Sequence, residues 1–375
     1  MKIAVNTRLL LKNRLEGIGW FSYETLKIIT KQHPEHHFYF IFDRPYDEEF
    51  IFASNITPIV LFPQARHPFL FVIWFEISVR RCLKKIGADI FLSPDGYLSL
   101  SSKIKTLTVI HDLNFEHYPE SLPWLIRKYY KYFFPRFARR ADRIATVSEF
   151  SKNDIISKYK IAAEKIDVVY DGVHKVFSPL PEDKKSLVKT KFTSGNDYFV
   201  FVGALHPRKN ICRLLISFNK FKETISEKNS NTKLVIVGEA MFMTLAMENT
   251  FNKLKYKNDV IFVGRLSPEE LHLAMGAAIA LVFVPYFEGF GMPILEAMNC
   301  DTPVITSNVT SMPEVSGDAA LLVDPFSVDE ISNAMSKIIT NQHLRMDLIE
   351  KGRRRRLDFS WEKTADKLWK AIINC

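Results

Sequence analysis

The stretch 282–325 is VFVPYFEGFGMPILEAMNCDTPVITSNVTSMPEVSGDAALLVDP, and it places two carboxylates and a glycine turn between apolar runs. A strand-like run ends at Pro285, the residues Glu288-Gly289-Phe290-Gly291 make a turn, and Pro293 lies at the start of a helix. A helix N-terminus reached through two glycines offers free backbone N–H groups and a partial positive charge, which suit a phosphate. The stretch therefore predicts a ligand site.

Two glutamates of this stretch, Glu288 in the turn and Glu296 in the helix, lie eight positions apart. One carboxylate can face a ligand above the helix start, while the other points from the first turns toward the same cavity. Two glutamates at this spacing alone are most often a solvated helix face. The glycines, the proline, the apolar run before them and the strand-like run 303–306 behind them favour a ligand site.

The spacing Glu-x7-Glu, with Gly-Phe-Gly after the first glutamate and Pro-hydrophobic-Leu-Glu-Ala-Met behind it, resembles the signature of family 4 retaining glycosyltransferases. This resemblance implies the GT-B fold, an α/β architecture in which two Rossmann-like, doubly wound parallel-sheet domains face a cleft. It implies that Glu296 hydrogen-bonds a nucleotide ribose and that Glu288 contacts sugar hydroxyls near the reacting carbon. The other donor-binding residues that it implies here are Gly289, Phe290, Gly291 and Leu295.

A second motif, GALHPRKN at 203–210, follows a strand-like run. Cations at the carboxyl end of a strand can hold a diphosphate and offset the negative charge that builds on it as a leaving group. An Arg-Lys pair alone is most often solvated surface. The Gly-x4-Arg-Lys-Asn form resembles the diphosphate motif of the same family, although many members carry Arg directly after the glycine, where this chain has alanine. The resemblance makes Arg208 and Lys209 catalytic candidates, and Gly203 and Asn210 donor-binding candidates.

Two features of the first half match the acceptor side of that family. Gly17-Ile18-Gly19 precedes a helical pattern at 21–30, so the backbone at Gly17 and Gly19 can approach a donor diphosphate or an acceptor. His111 ends the strand-like run 106–110 and corresponds to the family's active-site histidine, which contacts the transferred sugar. A lone histidine at a strand end is most often structural, but the carboxyl edge of a sheet favours function.

Strand-like and helical segments alternate along the chain in two blocks, which predicts two open, doubly wound sheets. We expect an N-terminal acceptor-binding domain at 1–177, a linker at 178–195, a C-terminal nucleotide-sugar-binding domain at 196–358 and a final helix at 359–375. The resemblance implies that this helix packs back on the first domain. A helix that caps its own domain fits the periodicity equally well.

Composition is that of a globular enzyme: 47% of the 375 residues are hydrophobic and 25% are charged. The chain enters a strand-like run at once, with no signal peptide, so we expect a cytoplasmic protein. The longest apolar run, 68–77, is shorter than the roughly 20 residues that span a bilayer. The four cysteines show neither paired nor metal-like spacing, and no Asp-x-Asp motif stands in a suitable loop. We therefore expect no cofactor and no metal, with the nucleotide sugar as substrate.

The formal net charge of +9 calls for an anionic partner. Basic and aromatic residues interleave at 124–140, and an aromatic run at 69–75 is followed by four cations at 80–85. This mixture favours an anionic membrane surface, with ordinary packing of a half-buried helix as the alternative. Nucleic acid ranks last because no nucleic-acid motif accompanies it. We expect a lipid-linked acceptor and a peripheral position on the cytoplasmic face of the inner membrane.

The implied reaction is retaining transfer of a sugar from a nucleotide diphosphate sugar to a saccharide or lipid-linked acceptor in cell-surface polysaccharide assembly. The block 302–320 is most similar to family members that use GDP-mannose, which makes mannose the first expectation; UDP sugars stay open. One alternative is another GT-B-like enzyme, such as a nucleotide-sugar epimerase or a phosphorylase. The other is a non-catalytic protein that keeps the fold to bind a nucleotide sugar.

Overall fold

The computed structural model describes residues 1–239 and 244–375 and divides into two α/β units. Unit 1 consists of Met1–Gly172 with Ser360–Cys375, and unit 2 consists of Val173–Phe359. The division after Gly172 falls five residues before the predicted domain end at 177.

Unit 1 is built on a parallel sheet. Its strands are β1 (Lys2–Asn6), β2 (His37–Phe42), β3 (Ile56–Val60), β4 (Ile90–Ser93), β5 (Lys105–Val109), β6 (Arg143–Thr146) and β7 (Ile166–Val168). Its first helices are α1 (Gly17–Gln32), α2 (Pro68–Ile73), α3 (Arg80–Ile86), α4 (Asn114–His117), α5 (Trp124–Arg140) and α6 (Glu149–Tyr159). A π-helical segment, Trp74–Val79, joins α2 to α3.

The strand order of unit 1 is β3-β2-β1-β4-β5-β6-β7, with every pair parallel. The central strand β1 is apolar and its residues Ile3, Ala4 and Val5 are fully buried, as expected for a strand covered on both faces. Strands β2 and β3 are added on one side of β1, and β4 to β7 are added on the other, so the strand order switches between β1 and β4. Open α/β sheets bind ligands at the carboxyl ends of the strands at such a switch point.

Unit 2 repeats this plan. Its strands are β8 (Tyr198–Val202), β9 (Lys233–Val237), β10 (Val260–Gly264), β11 (Ala280–Phe283), β12 (Val304–Ser307) and β13 (Ala320–Val323). Its helices are α7 (Glu182–Thr193), α8 (Ile211–Thr224), α9 (Leu245–Asn252), α10 (Pro268–Gly276), α11 (Met292–Asn299), α12 (Met312–Ser316), α13 (Val328–Thr340) and α14 (Gln342–Arg355). The order β10-β9-β8-β11-β12-β13 puts the switch point between β8 and β11. The prediction of two doubly wound parallel sheets is confirmed.

The segment 178–195, where we expected a linker, contains the 12-residue helix α7. The charged run in this segment forms the first turn of α7, where Glu182 and Asp183 complement the positive end of the helix dipole. Val188 and Thr193 supply its buried residues. A short helix in which half of the residues are charged resembles a linker in composition, which is why the sequence pattern did not separate the two.

The final helix, α15 (Trp361–Ile373), lies in unit 1 and packs on α1. The ring of Trp369 stacks on His33 with 3.8 Å between centroids, and Trp361 meets Phe21 edge-on at 6.3 Å. A Cβ atom at Gly172 would lie 2.3 Å from the backbone nitrogen of Trp361, so a residue with a side chain does not fit there. The start of α15 therefore lies against the residue at which the chain leaves unit 1.

Candidate active site

Three charged side chains meet at the switch point of unit 2. Arg208 and Lys209 follow β8, Glu288 follows β11, and both cations pair with the same carboxylate oxygen, Glu288 Oε1. Arg208 also donates a hydrogen bond to the Phe287 carbonyl at 3.1 Å. The side chain of Arg208 is 22% exposed and those of Lys209 and Glu288 are each 11% exposed, so a ligand can reach them. The structure thus brings together three of the predicted catalytic residues.

The loop after β8 fixes the two cations through its own hydrogen bonds. His206 caps a 3₁₀ turn at Pro207–Lys209, and its Nδ1 accepts from the backbone N–H of Arg208 at 3.3 Å. The next residue, Asn210, has a left-handed φ of 65°, which asparagine tolerates better than most residues. Its buried amide nitrogen donates to the carbonyls of Val284 at 2.9 Å and Pro325 at 2.7 Å. Asn210 therefore ties the cationic loop to the loops after β11 and β13.

The turn after β11 depends on Gly291, the residue that precedes α11. Its φ is +100°, and a Cβ atom there would lie 2.6 Å from the Met312 side chain. The Ser311 hydroxyl, which is buried, lies 3.0 Å from the carbonyl oxygen of Glu288 and 3.1 Å from that of Phe290. These contacts hold the backbone that carries Glu288 beside the N-terminus of α11.

Three of the predicted donor-binding residues could contact a ligand through their backbone and not through a side chain. Phe290 is buried and packs edge-on against Phe359 at 5.7 Å, and Leu295 is fully buried in α11. Any contact of these two residues with a ligand would therefore be made by their backbone. Gly203 has a φ of +144°, so a residue with a side chain would be strained at the end of β8.

The charges at this site are unbalanced, with two cations for one ionised carboxylate. Burial opposes ionisation of Glu288, but the attraction of Arg208 and Lys209 outweighs it and lowers the pKa of Glu288. Glu296 behaves differently: burial raises its pKa to about 7, only partly offset by Lys209. Its Oε2 atom is buried and has no hydrogen-bond partner among residues 1–239 and 244–375. The arrangement can accept an anion at the cations and a hydroxyl at Glu296.

The predicted glycine turn of unit 1 is part of a helix, because α1 begins at Gly17. Gly19 is buried, and a Cβ atom there would lie 3.1 Å from the Leu9 carbonyl oxygen. Close packing of α1 on the preceding loop therefore explains Gly19. Nothing lies within 4 Å of the equivalent position at Gly17, where the helix start stays open.

His111 follows β5 and is half-buried. Its Nε2 lies 2.8 Å from the Pro94 carbonyl oxygen, which can only accept, so Nε2 carries the proton. Its ring meets Phe21 edge-on at 5.0 Å. Burial lowers the pKa of His111, although the Pro94 hydrogen bond opposes that shift. The imidazole is therefore neutral near pH 7, with a fixed tautomer.

A second ion pair, which sequence reasoning missed, lies at the switch point of unit 1. Arg8 Nε lies 2.6 Å from Asp95 Oδ2, and Asn6 donates to the other oxygen of Asp95 at 2.8 Å. The Arg8 guanidinium lies over the ring of Tyr97 at 4.5 Å and that of Phe71 at 5.2 Å. The available signal was polar residues directly after two strands, which is the pattern used at 203–210.

The basic and aromatic helix α5 is partly buried and partly exposed. Tyr129 and Phe134 are buried, as ordinary packing requires, whereas Trp124 and Tyr132 are 64% and 53% exposed. Most of its cations are also exposed: Lys128, Lys131, Arg136 and Arg139. Within the part of the chain that the structure describes, no helix has the length and apolar character needed to cross a bilayer.

Comparison with protein families gives two matches that together cover most of the chain. Residues 182–355 match the family described as glycosyl transferases group 1. Residues 17–175 match the family described as glycosyltransferase family 4. The first match contains the whole cluster of Arg208, Lys209, Glu288 and Glu296, and the second contains His111.

Individual relatives agree with these matches. The O-antigen chain mannosyltransferase B of Escherichia coli is 29% identical over 314 residues, which cover 83% of this chain and 81% of that protein. The O-antigen chain mannosyltransferase RfbU of Salmonella typhimurium is 31% identical over 270 residues, 71% of this chain and 70% of that protein. The crystal structure of HepE from Anabaena in complex with UDP-glucose superposes with a TM-score of 0.75 at 16% identity, over 100% of both chains.

Proposed function

We propose that this chain, which belongs to family 4 of the glycosyltransferases and is a glycosyltransferase of the GT-B fold, transfers mannose from GDP-mannose to a saccharide or lipid-linked saccharide. The observation that carries the proposal is the pair of cations held on one carboxylate at the switch point of unit 2. The relatives that are named as mannosyltransferases of O-antigen chains support both the sugar and a role in cell-surface polysaccharide assembly.

The donor diphosphate binds to Arg208 and Lys209 in this proposal, beside the N-terminus of α11. A fixed guanidinium fork and an ammonium group offset the negative charge that develops on a departing diphosphate. We therefore infer that transfer needs no metal ion. Glu296 accepts hydrogen bonds from the nucleotide ribose, which would give its buried Oε2 atom a partner.

The reaction breaks the bond between the anomeric carbon and the diphosphate oxygen and forms a bond from the acceptor oxygen on the same face of the sugar. The acceptor hydroxyl proton passes to the departing phosphate oxygen, so no protein base is required. Glu288 positions the sugar through its hydroxyl groups, and its ionised form suits that role because a carboxylate accepts two such bonds. The neutral imidazole of His111 is proposed as a further sugar contact.

The acceptor is proposed to be lipid-linked, which requires the enzyme to work at a membrane surface. The exposed cations and aromatic rings of α5 support this position, since cations contact lipid phosphates and rings lie at the interface. We place the protein on the cytoplasmic face of the inner membrane, where nucleotide sugars are available.

The test is thermal stabilisation of the purified full chain by UDP, GDP, ADP and their sugar conjugates, because a ligand that binds only the folded state raises the melting temperature. We expect selective stabilisation by GDP and GDP-mannose that is lost in Lys209→Ala. Selective stabilisation by UDP and UDP-glucose would overturn GDP-mannose as donor, and the UDP-glucose complex of HepE makes this the leading alternative.

A second measurement separates an enzyme from a binding protein. Slow hydrolysis of GDP-mannose without acceptor, detected as released mannose, is expected for a transferase. Stabilisation without any hydrolysis or transfer would overturn the catalytic proposal and leave a nucleotide-sugar-binding protein.

A further inference from the structure

A groove of about 260 Å³ opens in unit 1 between the N-terminal ends of α2 and α5. Its lining is mostly apolar and consists of His67, Pro68, Phe69, Val72, Leu125, Lys128 and Tyr129. The same two helices approach each other here, and Phe71 of α2 packs edge-on against Tyr129 of α5 at 5.6 Å. The groove therefore has a packed floor built from two helices.

Large apolar side chains stand exposed at the edge of this groove. Phe69 is 68% exposed and Leu125 is 43% exposed, and Trp124, next to Leu125, is 64% exposed. Single exposed apolar residues are ordinary, but three beside one apolar groove form a surface that favours an apolar ligand. Burial of such side chains is stabilising in proportion to the area removed from water.

The charge around the groove selects an anionic ligand. The helical segments 68–86 and 124–140 carry ten Lys and Arg residues and one carboxylate, Glu76. That carboxylate is engaged inside the protein, where the backbone N–H groups of Leu100 and Ser101 donate to it at 2.6 and 3.1 Å. Lys128 lines the groove itself and is exposed.

Apolar and basic residues follow each other in the same order along both helical segments. The exposed apolar residues Phe69 and Trp124 lie at the N-terminal ends, and exposed cations follow them: Arg80, Arg81, Lys84 and Lys85 after the first, and Lys128, Lys131, Arg136 and Arg139 after the second. An apolar groove that is lined by one exposed cation and built from helices with further exposed cations matches an amphiphile that has a phosphate headgroup. Nucleic acid would use the cations but leave the groove empty.

We propose that this groove holds one acyl chain of an anionic bilayer phospholipid, whose headgroup phosphate contacts Lys128 and the neighbouring cations. The inference rests on the proposed function in one respect, since a lipid-linked acceptor requires the enzyme to lie on a membrane. It goes beyond that function by assigning a discrete site for a lipid chain. The helices then bind the membrane through an acyl chain inserted in the groove, in addition to the attraction of their cations to the anionic surface.

The experiment is sedimentation of the full chain with vesicles of phosphatidylglycerol and phosphatidylcholine in equal parts, compared with phosphatidylcholine alone. Two groove variants are used. Phe69→Ser/Leu125→Ser removes the exposed rim, and Val72→Phe fills the groove. The matched control is Leu187→Ser/Leu245→Ser, which removes two apolar side chains that are 70% and 78% exposed in unit 2.

We expect the wild type and the matched control to bind the anionic vesicles equally. The affinity of both groove variants for these vesicles should fall by at least about tenfold, because the lost contact is apolar burial. The fluorescence of Trp124 should be quenched by lipids brominated on the acyl chain, and Trp124→Phe should remove that signal. Phe69 and Leu125 are exposed, so their substitution leaves the fold intact and keeps the test valid where Val72→Phe does not fold.

Two results would overturn the proposal: no binding of the wild type to anionic vesicles, or wild-type binding by both groove variants with weakened binding only in Lys128→Gln/Lys131→Gln. The second result would show adhesion through headgroup charge alone. Thermal stabilisation by GDP-mannose is measured on the same samples. Its absence in the wild type would contradict the proposed function whatever the vesicles do, and its persistence in the groove variants would confine any defect to the membrane.

Discussion

Both units place an ion pair at the switch point of a parallel sheet, but the two pairs differ in charge balance and burial. In unit 1, Arg8 meets Asp95 one to one, with side chains 9% and 4% exposed. In unit 2, Arg208 and Lys209 share Glu288, and their side chains are 22% and 11% exposed. The same topological position can therefore hold a one-to-one pair or a cluster with an excess cation, and only the second suits the anion site that we propose.

The hydrogen bonds around the unit 1 pair engage both carboxylate oxygens of Asp95. Asn6 and Ser93 donate to Asp95 Oδ1 at 2.8 and 3.1 Å, while Arg8 occupies the other oxygen. Burial alone would lower the pKa of Arg8, but Asp95 outweighs it and raises that pKa. A buried pair that is neutral as a whole has little affinity for a phosphate, so we assign it to stability.

The largest effect is expected from Arg8→Met. Removing the cation leaves a buried carboxylate without its charge partner, which typically costs about 3–5 kcal/mol. The free energy of unfolding from a denaturant titration should fall by that amount. Arg208→Met is the matched control and should cost about 1 kcal/mol or less, because Lys209 still pairs with Glu288. Equal costs for the two substitutions would remove the distinction between the switch points.

Lys209→Met should lower the rate of sugar transfer and leave the stability of the protein almost unchanged. Loss of one cation that offsets the leaving-group charge should slow sugar transfer by roughly 10²–10³-fold. The melting temperature should change by only about 2 °C, since Arg208 keeps Glu288 paired. Lys220→Met removes a cation that pairs with Asp329 on the surface of the same unit, and its transfer rate should equal that of the wild type. A Lys209→Met enzyme with full activity would contradict the site assignment.

Glu288→Gln should change binding and turnover in opposite directions. Glu288 pairs with Arg208 and Lys209, so it competes for them with the diphosphate in the proposed binding mode. Neutralising it should tighten GDP binding by about fivefold, the equivalent of ~1 kcal/mol, as measured by calorimetry. Transfer should slow, because one of the two accepting oxygens becomes an NH2 group, which donates hydrogen bonds and cannot accept them from the sugar. Weaker binding of GDP would show that Glu288 holds the cations in place for the ligand.

Local pattern together with the family resemblance was enough to predict the cluster in unit 2, because its residues lie in two short segments that each follow a strand. The apolar run at 198–202 became β8 with those bounds, and Arg208 and Lys209 follow it. The positions of Glu288 and Glu296 could likewise be predicted from only one turn and one helix. Residues brought to one edge by neighbouring parallel strands are close for topological reasons, so their proximity followed from the predicted fold.

The sequence held the same signal for the unit 1 pair, polar residues just after two strands, but not the place where the first strand ends. The run 2–10 has apolar residues beyond the strand, which ends at Asn6. Thr7 donates its backbone N–H to Ile41, and then the chain turns away with Arg8 buried under aromatic rings. The burial of Arg8 depends on rings from distant parts of the chain, Phe71 and Tyr97, and therefore on the tertiary structure. The helix α7 was missed for the related reason that its exposed face dominates its composition.

Donor binding should also depend on pH, through Glu296. Its raised pKa of about 7 means that the carboxyl group is mostly protonated at pH 6 and mostly ionised at pH 8. If the ionised form accepts the ribose hydroxyls, affinity for GDP-mannose should rise by about tenfold from pH 6 to pH 8 and then level off. GDP-mannose is the better ligand for this measurement, because its diphosphate lacks the terminal phosphate group that titrates near pH 6 in GDP.

The control variant is Glu296→Gln, which keeps the shape of the side chain and does not titrate. At pH 8 the affinity of this variant for GDP-mannose should be weaker than that of the wild type, and it should not change between pH 6 and pH 8. Calorimetry in two buffers with different ionisation enthalpies should also detect a proton released by the wild type on binding at pH 6.5 and none by the variant. An unchanged slope in Glu296→Gln would place the titrating group elsewhere and would remove Glu296 from donor binding.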